Sequence, residues 1–129
     1  MDKPNVLIVD DEFEVRDIIK EYLEKIIECN IQESENGEDA LNKIKMTNFD
    51  LIILDLKMPG ISGIDIMRKV KNEGNLPDIL VTTAWDSVQI ANEVIEEGAI
   101  DYISKPVVLE TIKLKVKNIL ERKEKYFEK

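Results

Sequence analysis

Three uninterrupted aliphatic runs organise this chain: Val6-Leu7-Ile8-Val9, Leu51-Ile52-Ile53-Leu54, and Ile79-Leu80-Val81 leading into Thr82-Thr83. Runs of this length, without polar alternation, predict strands buried on both faces. Two weaker candidates, Ile31–Ser34 and Tyr102–Ser104, bring the count to five. Between the strands the apolar spacing changes to that of a helix. Val15, Ile18, Ile19, Tyr22, Leu23, Ile26 and Ile27 form one stripe; Ala40, Leu41 and Ile44 form a second; Ile66, Met67 and Val70 form a third. Val88, Ala91, Val94 and Ile95 mark a fourth, and Leu109, Ile112, Val116, Ile119 and Leu120 a fifth.

Local signals punctuate this pattern. Asn36-Gly37 reads as a turn, Gly74 as a helix C-terminal cap, Asp86-x-x-Gln89 as a capping box, and Gly98-Ala99 as a helix end. Five strands alternating with five helices imply parallel strands, right-handed crossovers and helices on both sheet faces. The length of 129 residues fits one domain. After Leu120 no Gly or Pro intervenes, and Tyr126 and Phe127 continue the last stripe through helix-favouring Glu, Arg and Lys. The sequence therefore predicts a last helix that runs past the domain, or the start of a linker, over 121–129.

Composition removes several functions. There is no histidine, so no Ser-His or Cys-His pair and no His metal ligand can form. Cys29 is the single cysteine, which excludes an internal disulfide. No apolar run is long enough to span a membrane. The net charge of −9 argues against nucleic-acid binding by this domain. That charge is uneven: residues 110–129 hold seven basic and four acidic side chains, or +3, which leaves −12 elsewhere.

The candidate chemistry lies where strands end. Asp10-Asp11 follow the first run and Asp55 follows the third strand, with Lys57-Met58-Pro59 beyond it. Ligands of open parallel sheets bind at that carboxyl edge. Three carboxylates gathered there resist ionisation unless a cation joins them, and Mg²⁺ suits a small carboxylate cluster that keeps several waters. Thr83 and Lys105 end two further strands.

These pieces together resemble the receiver domain of bacterial two-component response regulators. The matching segments are Asp10-Asp11, Asp55-Leu56-Lys57-Met58-Pro59-Gly60-Ile61-Ser62-Gly63, Thr83-Ala84, and Asp101-Tyr102-Ile103-Ser104-Lys105-Pro106, in the family's order. The stretches from Thr83 to Val88 and from Gly98 to Tyr102 further resemble receivers of nitrogen-regulatory-type activators. The resemblance implies a flavodoxin-like (βα)5 three-layer α/β sandwich of strand order 2-1-3-4-5, with a receiver over residues 1–120.

The resemblance also implies roles. Asp55 would be the phosphoacceptor. Asp11 would bind Mg²⁺ directly and Asp10 mainly through water, with Asp55 and the Lys57 backbone carbonyl as further ligands and Mn²⁺ able to substitute. Thr83 would bond the phosphoryl group, Lys105 would pair with it, and Tyr102 would move on activation. Trp85 and Lys57 would stand at the site mouth and slow the loss of the phosphoryl group. The partner would be a sensor histidine kinase or phosphotransfer protein in the cytoplasm. An output domain could follow in a longer parent, and a phosphorylation-linked homodimer could form. Val108 stands where the family often has a polar cap, so the last helix is expected to start loosely.

Three other readings compete. A phosphatase with an Asp nucleophile would need a second acid where Lys57 stands. A flavin or nucleotide binder would need a Gly-rich loop where Asp10-Asp11-Glu12 stand. A receiver-like module that works without phosphorylation would have no use for the acidic set.

Overall fold

The computed structural model describes residues 2–73, 77–84 and 88–129. The elements are β1 (Asn5–Val9), α1 (Phe13–Ile26), β2 (Asn30–Ser34), α2 (Gly37–Met46) and β3 (Leu51–Asp55), followed by α3 (Gly63–Asn72), β4 (Asp78–Thr83), α4 (Val88–Glu96), β5 (Asp101–Ser104) and α5 (Leu109–Arg122). The five strands form one parallel sheet of order β2-β1-β3-β4-β5, the flavodoxin-like arrangement that the resemblance implied.

Alternation along each buried strand sorts its side chains between two cores. Leu7, Val9, Ile52, Leu54, Ile79 and Val81 pack with Ala40, Ile66, Met67, Val70 and Val94, from α2, α3 and α4. Val6, Ile8, Leu51, Ile53, Leu80 and Ile103 pack with Ile19, Leu23, Ile112, Val116 and Leu120, from α1 and α5. The central strands β1 and β3 are covered on both faces, which explains why their sequences are aliphatic without a break.

The helix stripes are narrower than the sequence spacing suggests. Ile18 was expected on the inner face of α1 but is 53% exposed, and Val88 and Ile95 of α4 are 77% and 48% exposed. Each helix touches the sheet along one line, and these positions lie beyond it. The suggested Gly74 cap and the Asp86 end of the suggested capping box lie outside the described residues. Asn36 proves to be the N-cap of α2, its side chain accepting from the Asp39 amide. Val108 caps α5 with no side-chain hydrogen bond, as its apolar character predicts. At Gly63 a Cβ would stand 2.7 Å from the Asp55 carbonyl, so the start of α3 can lie directly against the end of β3.

The expectation that the last helix runs on is corrected. α5 ends at Arg122, and Glu124 takes a left-handed conformation with φ 57°. The Lys125 amide reaches back to the Leu120 carbonyl at 2.8 Å, and the Glu124 amide to Glu121 at 3.0 Å. This is a Schellman turn with Glu in the place where Gly is usual. The chain then pairs with the segment after α1. Glu28 donates to the Phe127 carbonyl at 2.7 Å, Lys129 donates to the Ile26 carbonyl at 3.0 Å, and Ile27 bridges Glu128 in antiparallel fashion. Lys123 donates to the Asp50 carbonyl at 2.8 Å and stands 3.5 Å from Asp78. Tyr126 packs on the α1/α5 core. Apolar surface on the same domain is nearer than any partner, so the stripe turns inward.

A docked tail contributes stability, whereas a frayed one would not. Deleting residues 123–129 should lower stability by about 2 kcal/mol, from two backbone bonds and the packing of Tyr126. Urea unfolding of both chains measures this; equal midpoints would show that the tail contributes nothing.

Candidate functional site

The parallel register sets the site. Past Val9 the ladder continues, with the Asp10 amide donating to the Ser34 carbonyl at 3.1 Å. Asp55 is the last residue of β3 and faces Thr82 in register; Thr83 faces Ser104, one residue before Lys105. The Lys105 amide donates to the Thr83 carbonyl at 2.7 Å. Asp10, Asp11, Asp55, Thr83 and Lys105 therefore arrive at one carboxyl edge, as the sequence predicted. The Lys105–Pro106 peptide that follows is cis.

Asp10 and Asp55 are buried, at 2% and 3% exposed, while Asp11 is open to solvent. The three carboxylates bring oxygens within 4.8 Å of one another. The Lys105 ammonium lies 3.0 Å from Asp10 Oδ2 and 3.4 Å from Asp55 Oδ1, with Glu12 Oε1 at 4.0 Å. The second oxygen of Asp10 accepts from the Glu12 amide at 2.9 Å. A cleft of about 450 Å³ opens over this group, lined by Asp11, Asp55, Lys57, Met58, Ala84 and Lys105 among others. Lys57 is exposed at its rim. Thr83 is buried beneath it, and Tyr102 is half-buried against the core on the α2/α3/α4 face. Trp85, expected at the mouth, lies outside the described residues.

Burial pushes the Asp55 carboxyl up to about 6, and repulsion from Asp10 adds to the rise. Lys105 and the Lys57 backbone amide oppose it without cancelling it. Burial alone would lower the Lys105 ammonium, but Asp10 and Asp55 outweigh it and raise its pKa. Three carboxylates facing one ammonium leave two negative charges unbalanced. A divalent cation with oxygen ligands would match that deficit, so the residues present fit Mg²⁺.

Sequence reasoning missed Arg16. Its Nη1 donates to the Asp10 carbonyl at 2.7 Å, and its Nε lies 3.3 Å from Glu33. In the sequence it is one more charge on the polar side of α1. Its position six residues after Asp10, at the start of a helix that returns over the same sheet edge, was the available signal.

Residues 6–117 match the family described as response regulator receiver domain. The chain belongs to this family. Among relatives, the receiver is 36% identical over 120 residues to the chemotaxis protein CheY of Pseudomonas aeruginosa, covering 91% of this chain and 96% of that one. It is 39% identical over 127 residues to the transcriptional regulatory protein ResD of Bacillus subtilis, covering 95% of this chain but 51% of ResD. The chain thus spans about half of ResD and nearly all of CheY. The crystal structure of a two-component response regulator from Clostridium difficile superposes with a TM-score of 0.86 at 30% identity, over 94% of this chain and 98% of that one. Among the described residues no helix is long and apolar enough to cross a membrane.

The raised Asp55 pKa has a stability consequence in chelator. Below about pH 4 Asp55 is protonated both folded and unfolded. Between about pH 4 and 6 the folded receiver keeps a proton that the unfolded chain releases, so stability falls as pH rises through that window. Above it the full cost remains. Asp55→Asn removes the charge and should stabilise the receiver by roughly 2 kcal/mol at pH 7.5 and by much less at pH 4.5. Thermal melts in EDTA at both pH values measure this; equal gains at the two would count against a destabilising Asp55 charge.

Proposed function

We propose that this receiver domain of a two-component system accepts a phosphoryl group on Asp55 in a Mg²⁺-dependent reaction. The supporting observation is that Asp55 ends β3 beside Lys105 and, of the two buried carboxylates, is the one that lines the open cleft. In-line attack by an Asp55 oxygen on phosphorus would form an acyl phosphate. The bond from phosphorus to the donor breaks; for a phosphohistidine its electron pair goes to the imidazole nitrogen, which takes a proton. With no histidine in this chain the donor belongs to a partner, a sensor histidine kinase or a phosphotransfer protein.

The cation would balance charge on the phosphoryl oxygens. Both Asp10 oxygens are engaged, by Lys105 and the Glu12 amide, whereas Asp11 is open. This favours Asp11 as the direct ligand and Asp10 as a ligand through water, with Asp55 and the Lys57 carbonyl as further ligands and Mn²⁺ as an alternative ion. Lys105 would hold one phosphoryl oxygen and Thr83 another. Movement of Thr83 would free space for Tyr102 and shift the α4–β5–α5 surface between two states. Lys57 at the mouth, and Trp85 as its place two residues past Thr83 in the sequence suggests, would slow water attack, and the domain would do no more than its own labelling and slow hydrolysis. The motif of Thr83 to Tyr102 supports placing the chain with nitrogen-regulatory-type receivers. Half coverage of ResD is compatible with an output domain in a longer cytoplasmic parent, where phosphorylation could promote a homodimer.

Acetyl phosphate or phosphoramidate with Mg²⁺ should add a single phosphoryl group, read by intact mass. EDTA should prevent it, and Asp55→Asn, nearly isosteric, should abolish it while the fold persists. Normal labelling of that variant would refute the assignment. Steady turnover of donor far beyond one equivalent would instead favour a phosphatase.

A further inference from the structure

Asp10 is held at every polar atom it has. Its amide donates to the Ser34 carbonyl, its Oδ1 accepts from the Glu12 amide and its Oδ2 accepts from Lys105. The remaining group, its carbonyl, accepts from Arg16 Nη1 at 2.7 Å. Arg16 is itself fixed. Its side chain is 11% exposed, its Nε stands 3.3 Å from Glu33 of β2, and its guanidinium lies 5.7 Å from the centre of the Phe13 ring. Glu33 is fixed in turn, with Lys20 3.6 Å from its carboxylate and Lys43 donating to its carbonyl.

The Asp10 carbonyl and the Asp11 amide belong to one planar peptide. Fixing the direction of that carbonyl fixes where the Asp11 backbone starts. Asp11 is exposed to solvent, so the peptide plane is what sets the direction from which its carboxylate is presented. We propose that Arg16, anchored by Glu33, is a positioning residue for the cation site, clamping the Asp10–Asp11 peptide so that the Asp11 carboxylate is held ready for a divalent cation. This rests on the cation reading given above. The arrangement needs two nitrogens of a planar fork aimed at two different acceptors, which the point charge of Lys cannot supply.

The test is calorimetric titration of Mg²⁺ into the whole chain. Arg16→Met should weaken Mg²⁺ binding about tenfold or more, the range seen when groups that orient metal ligands are removed. Arg16→Lys should recover part of the loss, and Glu33→Gln should show a smaller one. Lys20→Met, which also takes a partner from Glu33, should stay near wild type. In EDTA, nitrogen relaxation should show greater motion of the Asp11 amide in Arg16→Met than in wild type. Unchanged affinity in folded Arg16→Met would overturn the clamp, and so would equal losses in Arg16→Met and Lys20→Met. Should Arg16→Met fail to fold, Arg16→Lys decides, since wild-type affinity there would overturn the need for a fork. No Mg²⁺ binding by the wild type would overturn the cation reading itself, and the clamp with it.

Discussion

The ammonium of Lys105 bridges two buried carboxylates that would otherwise repel each other, 3.0 Å from Asp10 and 3.4 Å from Asp55. Both acids are almost fully withdrawn from water, where an unpaired charge is costly. The lysine lies one residue past β5, 95 positions along the chain from Asp10, which lies one residue past β1. Their meeting depends on a sheet in which β3 and β4 lie between those strands in strict register. Pairing of opposite charges thus holds the carboxyl edge together, and the edge in turn needs the whole sheet to be formed. The balance is incomplete, and the unmatched negative charge is what suits the site to a divalent cation.

The opposite edge is closed differently. There Asp50 accepts the Asn5 amide at 2.8 Å on its side chain and Lys123 at 2.8 Å on its carbonyl, while Lys125 stands 3.9 Å away. The docked tail adds its antiparallel bridge to the segment after α1. One edge of the sheet is saturated with bonds, and the other keeps a cleft and a raised pKa.

Strand number, alternation with helices and the candidate residues at strand ends were all legible in the sequence, for one reason. A parallel strand buried on both faces must be aliphatic throughout, so the polar residue that ends it marks the sheet edge without ambiguity. Helix faces were less legible. Ile18, Val88 and Ile95 satisfy helical spacing yet stay exposed, because spacing cannot say how wide a line of contact the sheet offers. The tail was misread because Glu at a left-handed position is uncommon and gave no stop signal, although Tyr126 had a core to return to.

Local order along the chain, then, determined the elements, their parallel sense and the identity of the acids, Thr83 and Lys105 at the edge, since each follows from burial of a short segment. Tertiary structure decided what depends on distances between segments remote in sequence. It set the 4.8 Å gathering of the three carboxylates, the raised Asp55 pKa that comes from burial beside Asp10, and the hold of Arg16 on the Asp10 peptide through an acid on β2. Electrostatic energies vary with separation and with exclusion of water, and neither quantity is written in the residue types themselves.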